Sequence, residues 1–263
     1  MSTVLITGAT SGLGRHIAFE LVRAGHVVLA HGRDADRTEK LVEELRAEGD
    51  AEGFVADLAS LDQARELGAH VADARPELDV LVNNAGVGSG PRGAGRELSA
   101  DGHELRLAVN YLAPVALTRA LLPVLRANAP ARIVNVGSAG QEPLDLDDPE
   151  LTRGYSGVSA YCRSKFALAA HTFTLAEELV GTGVSVNVLH PATYMDTAMV
   201  REAGVTPWNT VADGAAGVLA LATRDVGTGG YYDGTSPARA HAGTYDPQVR
   251  ARLATVTEQL LKI

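Results

Sequence analysis

The chain has 263 residues, 46% of them hydrophobic and 21% charged, which suits one α/β domain with a sizeable buried core. Its formal net charge of −9 disfavours non-specific nucleic-acid binding. No run of about 18 apolar residues reads as a membrane span, the N-terminus lacks the features of a secretion signal, and Cys162, the single cysteine, leaves no internal disulfide framework or Cys-based metal site; a cytoplasmic protein is expected.

The apolar run Thr3–Thr7 predicts a buried strand, and Leu13–Ala24 a helix. Between them lies TGATSGLG. Gly8 permits a tight turn, Gly12 leaves room for a pyrophosphate, and Gly14 lets the helix pack on the strand. The helix N-terminus, which includes Leu13, offers unpaired N–H groups to phosphate, and Thr10 and Ser11 add hydroxyls. A dinucleotide site is therefore expected here. A second strand, Val27–Ala30, leads into AHGRDADR. An acid at this point would bind the ribose 2′-OH of NAD, whereas an arginine accommodates the 2′-phosphate of NADP. Arg33 comes first after the strand, with Gly32 leaving room beside it. NADP(H) is the preferred cofactor and NAD(H) the alternative, for which Asp34 is the argument. Arg37 is a candidate second phosphate contact.

Asp36–Ala47 is a charged amphipathic helix, Phe54–Ala56 a short strand, and Leu61–Ala74 a helix closed by Pro76. Asp57 and Leu58, ending that third strand, are suited to the adenine amino group and ring. Asp79–Val82 is a fourth strand, and the small residues and amides after it, Asn83, Asn84, Ala85 and Gly86, suit a ligand lying across the sheet edge. A helical pattern over Gly102–Ala127 carries Asn110. Strand five, Arg132–Val136, places Ser138 just past its end. Gly140–Gly157 is an acid-rich inserted loop, read either as a solvated excursion or as a wall beside an active site. Val158–Val180 is helical and Val184–Leu189 is strand six. Thr193–Asn209, with Tyr194, Met195, Met199 and Trp208, is expected as an apolar lid. Gly229–Ala240 reads as a last strand plus loop, and Asp246–Lys262 as a final helix. The alternation predicts a single-domain, Rossmann-type, doubly wound parallel sheet of about seven strands with helices on both faces, spanning 1–263.

The chemistry centres on YCRSK. The chain has only three lysines, Lys40, Lys165 and Lys262, and Lys165 follows Tyr161 by four residues, one turn along the same helix face. A nearby ammonium is expected to lower the tyrosine pKa from near 10, so that Tyr161 exchanges a proton with a carbonyl or alcohol oxygen. Ser138 would hold that oxygen. Asn110 would hold a water linking Lys165 to solvent. His190 and Cys162 read as structural.

The ordered set TGATSGLG, Asp57-Leu58, NNAG, Asn110, Ser138 and YCRSK resembles the short-chain dehydrogenase/reductase superfamily across nearly the whole chain. AYCRSKFALAAHTFTLAEELVGTGVSVNVLHP is similar to the retinol dehydrogenase-like branch. The resemblance implies that Tyr161 is the acid/base, Lys165 its partner and a holder of the nicotinamide ribose, Ser138 the substrate-oxygen binder and Asn110 the relay. It also implies a homodimer or homotetramer built through the two long helices carrying Asn110 and Tyr161. Pro191-Ala192 replaces the usual Pro-Gly, with Thr193 or Thr197 expected at the carboxamide. The expected activity is reduction of a small ketone or aldehyde, reversible as alcohol oxidation, with an apolar substrate favoured. The alternatives are C=C reduction, epimerisation or dehydration at the same site, or a non-catalytic NADP(H)-sensing protein.

Overall fold

The computed structural model describes residues 1–91 and 93–262. Strands β1 (Thr3–Ile6), β2 (Val27–Gly32), β3 (Ala51–Val55), β4 (Val80–Asn83), β5 (Ala131–Val136), β6 (Val184–His190), β7 (Tyr231–Asp233) and β8 (Ser236–Ala238) form one sheet. Their order is β3-β2-β1-β4-β5-β6-β7-β8. All neighbours through β7 are parallel, and only β8 runs antiparallel, paired with β7 as Asp233↔Ser236 and Tyr231↔Ala238. The eighth strand lies in the segment expected as a loop after the last strand. It has three residues, one of them Pro237, a run too short and too proline-disrupted to show strand periodicity.

Helices cover both faces. Helices α1 (Gly12–Arg23), α2 (Ala35–Arg46) and α8 (Val211–Thr223) lie on one face. On the other are α3 (Leu61–Ala74), the continuous helix made of α4 (Leu105–Leu107), a π-turn (Ala108–Leu112) and α5 (Ala113–Ala127), and α6 (Gly157–Glu178). The two-residue period of the strands divides the core. Val4 and Ile6 of β1 pack with Ile17, Leu21 and Val218, while Leu5 between them packs with Leu112, Leu117 and Leu81. Leu5, Leu81 and Leu117 are fully buried, each contributing about 1.5–3 kcal/mol of apolar transfer. Leu105–Ala127 is long and apolar enough to cross a membrane, but most of it is buried inside the fold. A short α7 (Ala198–Glu202) and a 3-10 turn (Ala242–Tyr245) precede α9 (Pro247–Leu260).

Candidate active site

The loop joining β1 to α1 has the expected shape. Gly8 and Gly12 have φ of +66° and +51°, backbone that favours glycine. A Cβ on Gly14 would lie 2.3 Å from the Gly8 carbonyl oxygen and 2.5 Å from Asn84 Nδ2, so only glycine lets α1 pack this closely. Helices α2, α3, α6, α8 and α9 start with side-chain caps from Asp34, Ser60, Ser156, Thr210 and Asp246. At α1 the Ser11 side chain makes no such bond. The first N–H groups of α1 and the Ser11 hydroxyl therefore form a positively polarised end open to phosphate. This uncapped end, beside a turn where Cβ atoms do not fit, suits a dinucleotide pyrophosphate.

His31, which sequence reasoning did not single out, holds this loop. It is 2% exposed at the end of β2. Its Nδ1 accepts the Gly8 N–H at 3.2 Å, its Nε2–H donates to the Ala56 carbonyl at 3.0 Å, and its own carbonyl accepts the Ala9 N–H. Burial lowers its pKa to about 4, so the ring is neutral. The signal was present, since a histidine inside a continuous apolar strand requires buried partners, but those partners are 23 and 25 residues away.

Arg33 is exposed past the end of β2. Asp34, the acid expected to compete for it, accepts the Arg37 N–H at 2.9 Å as the α2 cap. Arg37 reaches toward the Thr10 carbonyl at 3.5 Å, beside the phosphate loop. A Cβ on Gly32 would lie 2.5 Å from Thr10 Cγ2, so glycine here lets the two loops touch. Leu58 is buried, and the exposed Asp57 carboxylate accepts the Ala59 N–H at 2.9 Å.

Beyond β4 the amides also brace the fold. Asn83 is 3% exposed, and its Nδ2 donates to Thr118 Oγ1 and Asn135 Oδ1. Asn135 in turn donates to Thr172. Asn83 is thus a member of a buried polar brace linking β4, β5, α5 and α6, and its Oδ1 has no partner within the fold. Asn84 Nδ2 donates to the Thr7 and Gly8 carbonyls, fixing the glycine turn, and the Ala85 N–H donates to Thr7 Oγ1. Gly86 does face the site: a Cβ there would lie 3.1 Å from Asn110 Oδ1 and 3.8 Å from Lys165 Nζ.

Asn110 sits in the π-turn, a distortion common at functional sites. Its side chain is held from two sides: Oδ1 accepts the Val87 N–H at 2.8 Å, and Nδ2 donates to the Val87 carbonyl and Ser164 Oγ at 3.0 Å each. Oδ1 accepts this one bond and keeps a second lone pair. Asn110 thus braces the Gly86–Val87 segment.

Lys165 is 5% exposed and donates from Nζ to the Val136 carbonyl at 2.8 Å. Burial lowers its pKa to about 8. Its Nζ lies 5.9 Å from the Tyr161 ring centroid. The expectation that this ammonium lowers the Tyr161 pKa is overturned: burial raises it, and the opposing interaction comes from the Ser138 hydroxyl. Desolvation wins over a cation aimed at a carbonyl. Ser138 Oγ also accepts the Gly140 N–H at 3.1 Å, and the Ser138 carbonyl accepts from Tyr231 OH and Gln141 Nε2. Ser138, Tyr161, Lys165 and Gly86 thus meet at the C-terminal edge of the sheet, where open α/β sheets bind ligands.

Pro191 is buried, and the Thr193 hydroxyl is 3.0 Å from His190 Nε2. Thr197, not Thr193, lies against the phosphate loop, its Cγ2 3.3 Å from where a Gly12 Cβ would be. The lid is closed at its base by Met195↔Asn209 pairing and by the Trp208 N–H to Tyr194 carbonyl bond. Its aromatic residues do not line the site inward: Tyr194 and Trp208 pack edge to face, with Trp208 72% exposed. The acids of the inserted loop are anchors. Glu150 meets His103 Nδ1 at 2.6 Å, Arg96 at 3.2 Å and the Glu104 N–H at 2.6 Å, and Tyr155 OH donates to Glu104.

These features define an α/β protein with a glycine-rich loop suited to a dinucleotide and a serine, tyrosine and lysine gathered at the C-terminal edge of its sheet. The family model for short chain dehydrogenases matches residues 2–207, and the chain belongs to that family. Human retinol dehydrogenase 13 is 37% identical over 209 residues, covering 77% of this chain but only 62% of the relative; such relatives place the chain in the retinol dehydrogenase-like branch. Among solved structures, an uncharacterized protein from Mycobacterium Paratuberculosis matches with a TM-score of 0.82, 30% identity, and coverage of 100% of this chain and 94% of that one. Pseudomonas aeruginosa RhlG, in an NADP active-site complex, matches with a TM-score of 0.73 and 31% identity over 88% of this chain and 94% of that one.

Proposed function

We propose that the protein is an NADP(H)-dependent oxidoreductase reducing a ketone or aldehyde, reversible as an alcohol dehydrogenase. The observation that carries the reading is the convergence of Ser138, Tyr161 and Lys165 beside an uncapped α1 N-terminus. Bound nicotinamide supplies or accepts the hydride. The Ser138 hydroxyl holds the substrate oxygen next to Tyr161. The Tyr161 phenol, its pKa raised by burial, is set to donate its proton to a carbonyl oxygen gaining charge. Lys165, with a pKa of about 8, is largely charged at neutral pH and supports that transfer and the nicotinamide ribose. Gly8, Ser11, Gly12, Leu13 and Thr197 would hold the pyrophosphate, and Asp57 and Leu58 the adenine.

Arg33, freed from Asp34 by the α2 cap, supports NADP over NAD; the NADP found in the RhlG complex agrees with it. A single catalytic domain and a cytoplasmic location without a membrane span belong to the same reading. So does assembly into a homodimer or homotetramer, through a face other than the outer sides of α5 and α6. The expected result is NADPH oxidation with a reducible carbonyl, lost by about 100-fold or more in Tyr161→Phe, with calorimetric NADPH affinity unchanged within a few-fold. Retained turnover in that variant rules out the acid/base role.

A further inference from the structure

A cavity of about 310 Å³ lies between the loop after β5, the end of β6 and the β7–β8 hairpin; Ala139 and Tyr231 line it, and the Tyr231 hydroxyl donates to the Ser138 carbonyl. Its size is that of a small-ligand pocket, and its lining mixes Ala139, Ala238 and Ala240 with polar side chains. His190 is 7% exposed, and its Nδ1 is buried without a hydrogen-bond partner while Nε2 is taken by Thr193. Asp233, the last residue of β7, brings an exposed carboxylate. Arg239 sits over the Tyr245 ring, its Cζ 4.7 Å from the ring centroid, and forms no ion pair among the described residues. Gln141 is already committed, bridging the Ser138 carbonyl and the His241 N–H; it fixes the wall and leaves His190, Asp233 and Arg239 to meet a ligand.

Each ligand class makes a different demand on this wall. A hydrocarbon chain would strand the His190 ring nitrogen and cover two charges without pairing them, which is unfavourable. A carboxylate would suit Arg239 but face Asp233. A hydroxyl both donates and accepts, so neighbouring hydroxyls satisfy Asp233 and Arg239 together and pair with His190. The outward-facing lid aromatics add no apolar wall to oppose this. We infer that the substrate is a polyhydroxylated carbonyl compound whose hydroxyls bind His190, Asp233 and Arg239 while its reacting oxygen lies at Ser138 and Tyr161. The inference rests on the oxidoreductase reading above.

The test compares erythrulose with butan-2-one, four-carbon ketones with and without hydroxyls, in NADPH-dependent reduction. The wild type should show at least tenfold higher kcat/KM for erythrulose, and this ratio should fall by at least tenfold in Asp233→Ala and in Arg239→Ala. Saturation-transfer NMR with erythritol reads the pocket without turnover; its signal should be present in the wild type and absent in Arg239→Ala. Equal or better use of butan-2-one, a ratio unchanged in both variants, or no erythritol signal overturns the assignment. Erythritol binding without reduction of either ketone points instead to failure of the oxidoreductase reading, and the substrate assignment falls with it.

Discussion

Arg33 carries the choice between two cofactors that differ by one phosphate. A guanidinium bonded to a phosphate makes charge-assisted hydrogen bonds worth about 1.5–3 kcal/mol, so Arg33→Ala should weaken NADPH by roughly tenfold to a hundredfold while NADH changes little. Calorimetric titration of both cofactors against both proteins measures this; equal losses would remove Arg33 from the 2′-phosphate site. Which single residues could be read from sequence depended on where their partners lie. Gly8, Gly12 and Gly14 declare themselves because their constraint is local, a turn and a helix start within seven residues of chain. Tyr161 and Lys165 share one helical turn. The bracing bonds of Asn83 and Asn110 were not legible because their amides are engaged by Thr118, Asn135, Ser164 and Val87, none of them a chain neighbour. The Tyr161 pKa was misread for a related reason: proximity to Lys165 is visible in sequence, but burial is not.

At the scale of elements, the β1–α1 loop and the end of β2 are held together by His31, whose neutral ring accepts from Gly8 and donates to Ala56. This bond has a pH signature. The folded-state pKa is about 4, below the unfolded value of about 6.5. Between those values the unfolded chain binds a proton that the folded chain excludes, so stability is complete above pH 6.5 and falls as pH drops toward 4. By pH 5 the loss from His31 is about 2 kcal/mol. His31→Gln keeps a donor and an acceptor but does not titrate. Urea unfolding at pH 7 and pH 5 should therefore show a smaller acid loss in the variant by about that amount; identical losses in both proteins would exclude His31 as the source. His171, also lowered to about 4 by burial, titrates in both proteins and cancels. Element boundaries were largely readable because the strands are short apolar runs between glycines and amphipathic helices. β8 escaped because it is three residues long, and the inserted loop was ambiguous because its acids look solvated until His103, Arg96 and Tyr155 are placed around them.

At the scale of the whole molecule, the last helix changes what the long helices are free to do. The resemblance implied contact between copies through the helices bearing Asn110 and Tyr161. In the structure α9 lies across their outer faces. Glu258 pairs with Arg119 of α5, Arg250 with Glu177 of α6 at 2.8 Å, and Thr257 bonds the buried Tyr111 hydroxyl. Leu253 and Leu261 are 3% and 1% exposed. The far end is tied down where Arg65 donates to the Leu261 carbonyl at 2.7 Å and His103 meets the Leu260 carbonyl at 3.1 Å. A partner copy would have to displace this helix, giving up two buried leucines at about 1.5–3 kcal/mol each together with the ion pairs. The prediction is that copies do not associate through α5 and α6 while α9 is in place. Hydrogen exchange should find the α9 amides protected at every protein concentration, and removal of the chain from Pro247 onward should drive association or aggregation of the uncovered face. Release of α9 protection with rising concentration, together with new protection of α5 and α6, would show that the helix is displaced by a second copy and would reverse the conclusion.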